Sequence, residues 1–277
     1  MNAIRNASHG SLPSRAPGNT RRAPLLALVA FTALGAAACG GGPTAPGSTE
    51  PLTESVATAD IVFFFATGDR VDADLQQGYH DWLEDALGVS LPGQMEYRKY
   101  RNRSHMGGMT GSQGNAWASP DPPVVHTIWP RDNHETVHVL AARFGRPTDF
   151  FNEGLAVAFQ MDPVAGDLVA KWSGTPIHDI AARLRLQGSL PPLATWVESG
   201  AFRTRPDGDS YPTAGSFVRY LIDTHGLGAV RDLFGRAGNR DDSLAAVRAA
   251  FAAAFGISLE EAEAGWHAML DGGAVSR

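Results

Sequence analysis

His134-Glu135-Thr136-Val137-His138 constrains this chain more than any other stretch. Residues four apart on an α-helix lie one above the other on the same face, so two imidazoles at this spacing can grip one metal ion. The glutamate between them turns toward the same pocket. The spacing does this only on a helix, and the flanks supply one. Pro130 disfavours a helical conformation at Trp129, and Asp132 follows as an N-cap. Val137, Leu140, Ala141 and Phe144 then recur at i, i+3, i+4 and i+7 as an apolar stripe, and Gly145 with Pro147 ends the run. One helix is therefore expected to carry a buried face and two metal-binding histidines.

The loop Arg146 to Asp149 leads into Phe150-Phe151-Asn152-Glu153-Gly154-Leu155-Ala156-Val157-Ala158-Phe159. A short turn between two helices lays them antiparallel, which would return Glu153 to His134 and His138. Catalytic zinc generally has three protein ligands and one open position. His134, His138 and Glu153 are the expected ligand set, with Zn²⁺ as the cofactor.

The two motifs, His134-Glu135-x-x-His138 and Asn152-Glu153-Gly154-Leu155-Ala156, resemble the gluzincin metallopeptidases. That group includes thermolysin and the aminopeptidase N type, and the likeness is greatest to the small bacterial peptidase MA-like domains. It covers Asp132 to Phe159, with a weaker likeness in Tyr211 to Gly226 and the helical tail. It implies Zn²⁺ on the two histidines and Glu153, with Glu135 as general base. It also implies a role for Tyr211 against the oxyanion of the reaction; the plainer reading of Tyr211 is an aromatic packed at a helix entry.

Neighbouring families fit less well. Ala141 and Phe144 stand where a metzincin needs Gly and His. Asp149 is available as the third ligand of an aspzincin, but its flanks lack that family's glycine-containing pattern. Gly114-Asn115-Ala116-Trp117 has no acid where the aminopeptidases hold the substrate amine, so an endopeptidase acting on peptide or protein substrates is expected. The rival readings are an inactive, metal-binding envelope lipoprotein serving as an adaptor, and a plain surface lipoprotein with an accidental histidine pair. Glu135 weighs against the first, because a binding-only site has no use for a base beside the metal, and Asn152-Glu153-Gly154 weighs against the second.

Residues 1–38 read as an export signal. Arg5, Arg15, Arg21 and Arg22 precede the apolar run Leu25 to Ala38, which is too short for a permanent span. Cys39, the only cysteine, resembles the lipidated residue of a bacterial lipoprotein signal, which implies a membrane anchor on Cys39. Ala36-Ala37-Ala38 also fits ordinary secretory cleavage to a soluble protein. One cysteine excludes an internal disulfide, so the fold must hold by core packing. Residues 39–56, rich in Gly, Pro, Ser and Thr, read as a flexible tether, and 57–272 as one zincin-like domain. The net charge of −6 argues against nucleic acid as a partner, and nothing in the sequence speaks to oligomeric state.

Within the domain, Ile61–Phe65, Met95–Arg101, Asn115–Ser119 and Val124–Trp129 read as strands. Asp72–Leu87, Thr175–Gln187, Pro192–Ser199, Leu227–Arg236, Ser243–Phe255 and Leu259–Leu270 read as helices, with Ser258 and Glu261 in a capping-box pattern. Tyr211-Pro212 is expected to open a further helix with Thr213 as its cap, and Ser104–Gly114, with four glycines in eleven residues, reads as a mobile loop. His126 reads as a structural imidazole, and His105 beside the glycine loop is the remaining histidine of interest. The expected fold is α+β and zincin-like. A small strand-containing N-terminal subdomain and a mainly helical C-terminal part are expected to flank a metal cleft.

Overall fold

A computed structural model describes residues 49–275 apart from 199 and 238–241. The stretch read as an export signal, Cys39 and the first part of the stretch read as a tether lie outside the described residues. The chain is α+β, with a five-stranded mixed sheet near its N-terminus and a mostly helical C-terminal part.

In chain order the N-terminal elements are β1 (Glu54–Ala57), β2 (Ile61–Phe65), α1 (Ala73–Leu87), β3 (Met95–Lys99), α2 (Arg103–Thr110), β4 (Ala116–Pro120) and β5 (Pro123–Thr127). The sheet order is β1-β2-β3-β5-β4. β2, β3 and β5 run parallel, while β1 and β4 close the two edges antiparallel. Side chains alternate across a strand, so Ile61 and Phe63 of β2 and Met95 and Tyr97 of β3 share one face, fully buried with Val125.

Two expectations fail in this half. The sheet begins at Glu54, inside the stretch read as tether, because Glu54 to Ala57 pair residue for residue with Phe65 back to Val62. Ser104–Gly114 is mostly the helix α2, not a loop. Asn102 caps it by accepting from the His105 N–H at 2.9 Å, and the Thr110 hydroxyl donates back to the Met106 carbonyl at 2.8 Å. Capping and the burial of His105 and Met106 outweigh the helix cost of Gly107 and Gly108.

The remaining helices are α3 (Asn133–Ala141), α4 (Asp149–Ala158), α5 (Ile177–Leu186), α6 (Asp207–His225), α7 (Leu227–Ala237), α8 (Leu244–Phe255) and α9 (Leu259–Val275). A two-stranded ribbon, β6 (Lys171–Trp172) with β7 (Thr175–Pro176), precedes α5. The helical core gathers Phe150, Phe151 and Leu155 of α4, Phe217 and Leu221 of α6, Phe251 of α8 and Trp266 of α9. Ser258 and Glu261 form the expected box at the head of α9, each side chain taking the other's backbone N–H.

Among the described residues, Pro192–Glu198 holds a single 3-10 turn, Leu193–Thr195, where a helix over Pro192–Ser199 was expected. Its neighbours claim it: Glu263 of α9 accepts the Leu193 N–H, and Glu198 accepts the Leu244 N–H at the head of α8. The helix expected to open at Tyr211 starts at Asp207 instead. Asp207 and Asp209 put negative charge in its first turn, where the helix dipole favours it, and Pro212 lies in the second turn. Thr213 is therefore no cap but a buried residue, and Tyr211 sits inside the helix.

α4 and α6 cross at very close range, and glycine makes that possible. A Cβ on Gly154 would stand 2.8 Å from the Ala214 carbonyl oxygen, and one on Gly215 would stand 2.4 Å from Val157 Cγ1. This crossing sets Tyr211 opposite Glu153. The turn between α3 and α4 depends on Gly145, at φ 136°, where a Cβ would meet the Phe234 carbonyl oxygen at 2.3 Å.

Candidate metal centre

α3 is fixed at its first turn by a buried polar network. Asp132 caps it, accepting the Glu135 N–H at 3.1 Å through Oδ1 and the Thr127 hydroxyl at 2.7 Å through Oδ2. Gln76 of α1 accepts the Asp132 N–H and donates to the Thr136 hydroxyl, both at 2.9 Å. Each buried polar atom in this chain of bonds has a partner, so the network holds the helix end to both α1 and the sheet. On the other side, Arg131 pairs with Asp162, Asn133 donates to the Met161 carbonyl, and His134 Nδ1 meets Gln160 Oε1 at 3.1 Å.

Three donor atoms converge from α3 and α4. His134 Nε2 lies 3.0 Å from Glu153 Oε2, His138 Nε2 lies 3.1 Å from the same oxygen, and the two Nε2 atoms are 3.2 Å apart. The antiparallel return of α4 thus brings Glu153 to the histidines, as its place in the sequence predicts. Asp149 is instead engaged by Arg203 at 2.8 Å.

The chemistry of this donor set fits a cation. His134 Nδ1 faces the Gln160 amide oxygen, an acceptor, which suits the tautomer whose Nε2 offers a lone pair to a cation beside the Glu153 oxygen. Facing acceptors at hydrogen-bond distance repel unless a proton or a metal lies between them. Ligand atoms around a tetrahedral zinc with bonds of about 2.0–2.1 Å stand roughly 3.3 Å apart, close to the triangle observed. Zinc suits two imidazoles and one carboxylate oxygen. Burial pushes the Glu153 carboxyl up, but the two imidazoles facing its Oε2 outweigh this and hold the group below the usual carboxylate range. Glu153 is therefore a carboxylate at neutral pH.

Glu135 stands outside the donor triangle with its side chain lining the cleft. Burial first, then the charges of Asp132 and Glu153, raise its carboxyl well above the ordinary range, against the opposing pull of His134 and Arg203. Tyr211 lies across from it, its ring centroid 6.0 Å from that of His134 and stacked on Trp172 at 5.0 Å. Burial and the Glu153 charge raise the Tyr211 pKa, so the phenol stays neutral and keeps a proton to donate.

Arg203 is the member of this group that sequence reasoning missed. It is the middle residue of the 3-10 turn Phe202–Thr204, anchored by the buried Phe202. Its Nε donates to Asp149 at 2.8 Å, Nη1 to the Tyr211 hydroxyl oxygen at 2.6 Å, and Nη2 to Glu153 Oε1 at 2.6 Å. Burial works against its charge, and the Asp149 hydrogen bond with the Glu153 and Asp149 charges overcomes this and raises its pKa. The one signal available was the pair of acids at Asp149 and Glu153, four apart on an apolar helix, which calls for a cation opposite.

The site opens into a cleft of about 1020 Å³. Gly114 to Ala118 along β4 form one wall, and Met161, Trp172, Arg203 and Tyr211 form the other. Trp129 and Val169, each 49% exposed, give its mouth an apolar rim. The other histidines stand apart. His126 stacks on Trp117 at 4.0 Å and shares a 2.9 Å hydrogen bond with the Tyr100 hydroxyl, while His105 is tied to the Glu50 carbonyl at 2.7 Å.

The chain matches no protein-family model and no curated protein.

Proposed function

We propose that this chain is a gluzincin-type zinc metallopeptidase acting as an endopeptidase outside the cytoplasm. The observation that carries the reading is the convergence of His134 Nε2, His138 Nε2 and Glu153 Oε2 within 3.2 Å of one another, with the buried Glu135 left free beside them. A Zn²⁺ held there supplies Lewis acidity toward a water molecule and a carbonyl.

The chain's own residues account for the remaining steps. Glu135, the carboxylate left outside the ligand set and lining the cleft, accepts a proton as the water oxygen attacks the peptide carbon. It then delivers that proton to the amine as the C–N bond breaks. The Tyr211 hydroxyl donates to the oxygen on which negative charge develops. β4 is an edge strand whose residues line the cleft, and an unpaired strand edge can hold an extended peptide by main-chain hydrogen bonds. That supports a peptide as substrate, bound along its length rather than by a terminus. Export through residues 1–38, with lipid attachment at Cys39 or release after Ala38, completes the proposal.

The test is zinc content of protein purified without chelator, followed by hydrolysis of denatured protein or mixed peptides. Zinc near one per chain and activity that disappears with chelator are expected; zinc near zero overturns the reading.

A further inference from the structure

A carboxylate can meet a metal through one oxygen or through both, and the choice sets how many positions remain for the reaction. At Glu153 the two oxygens already have different surroundings. Oε2 faces the two imidazoles, whereas Oε1 accepts from Arg203 Nη2 at 2.6 Å. For Oε1 to turn to a cation as well, that charge-assisted bond would have to break.

The same guanidinium is held from a second side. Asp149 and Glu153 lie one helical turn apart on α4, and Arg203 spans them with Nε and Nη2. Its planar fork fixes both contacts at once, which a lysine ammonium does not. Its third contact, from Nη1, takes the Tyr211 oxygen as an acceptor, so the phenolic O–H is the group left to donate elsewhere. Arg203 also lies against the Phe202 and Tyr211 rings, its central carbon 5.7 and 5.9 Å from their centroids.

We infer that Arg203 is the positioning residue of the centre: it restricts Glu153 to ligation through Oε2 alone and orients the Tyr211 hydroxyl toward the cleft. This rests on the metal centre proposed above and adds a second function for one side chain. The ligand set stays at three atoms, and the donor for the developing charge is tied to the same carboxylate. Outer contacts of this kind set ligand geometry in metal sites and influence affinity as strongly as some of the ligands do.

The experiment reads metal binding rather than turnover. Wild type, Arg203→Met and Arg203→Lys are stripped with chelator and checked by circular dichroism. Each is titrated with Zn²⁺ against a competing chelator, and with Co²⁺, whose visible spectrum reports coordination number. Arg203→Met is expected to bind Zn²⁺ about 10- to 100-fold more weakly. Its Co²⁺ complex should lose intensity as Oε1 joins the metal, and Arg203→Lys should fall between the two. Unchanged affinity and an unchanged Co²⁺ spectrum in Arg203→Met overturn the inference while the metal centre stands. Should that variant not fold, Arg203→Lys decides by the same two readings. Absence of binding by wild type overturns the centre itself.

Discussion

Gly154 of α4 faces the Ala214 carbonyl of α6 at a distance that admits no side chain, since a Cβ there would stand 2.8 Å from that oxygen. The backbone on the other side cannot give way as a flexible side chain could, so the helices would have to part. Gly154→Ala should therefore destabilise the fold by about 1–3 kcal/mol, the usual cost of overpacking. It should also weaken zinc binding, because Glu153 is the adjacent residue. Urea denaturation with and without zinc checks both, and a variant as stable as wild type would show that the crossing is looser than described.

Glu153 and Asp149 compete as the third ligand only on paper, since the first is 3.0 Å from His134 and the second belongs to Arg203. Glu153→Ala should lower zinc occupancy strongly, whereas Asp149→Ala should leave most of it. Metal analysis after dialysis decides between them, and the reverse order would show the ligand assignment to be wrong.

The case for an enzyme rests on Glu135. Glu135→Gln keeps the shape of the side chain and removes the proton acceptor, so zinc content should be nearly unchanged while hydrolysis falls by a factor on the order of 10² to 10⁴. Full activity in an otherwise active preparation rules out the mechanism proposed here.

The clearest pH dependence comes from His126, away from the metal site. Burial first, then the Arg98 charge, lower its pKa from 6.5 to about 4. Above the unfolded value both states are neutral there. Between about 6.5 and 4 the unfolded chain takes up a proton that the folded chain refuses, so this contribution to stability is lost as pH falls through that window. With allowance for partial solvent screening the loss is on the order of 1–2 kcal/mol. His126→Gln, compared with wild type by urea midpoints at pH 7, 5.5 and 4, should show a correspondingly flatter profile. Parallel profiles would place the acid sensitivity elsewhere.

Helix α3 was legible because its signals are local. Asp132 as cap and the stripe from Val137 to Ala141 lie within one short stretch, and neither depends on distant packing, although the helix closes at Ala141, ahead of the stop expected at Gly145. Glu153 was legible because one tight turn leaves few ways to place the next helix. α2 was not, since four glycines mark a loop by propensity, and the cap at Asn102 that overrides them reads as an ordinary polar residue. The start of α6 was obscured by Pro212, which commonly marks a first turn but stands in the second here. Arg203 was beyond reach because it is fifty positions from Glu153, and several other arginines could have answered the same two acids.

The three donor atoms sit on one helical hairpin, with His134 and Glu153 only nineteen positions apart. An ion bridging them closes a short loop, and closing a short loop takes little freedom from the unfolded chain compared with a tie across the whole domain. The sheet, the α4–α6 crossing and the terminal helices are each built from contacts that do not pass through the donors. Chelation should accordingly silence the centre while the surrounding architecture persists, so that the metal could be withdrawn and restored, or exchanged for another, without refolding the protein.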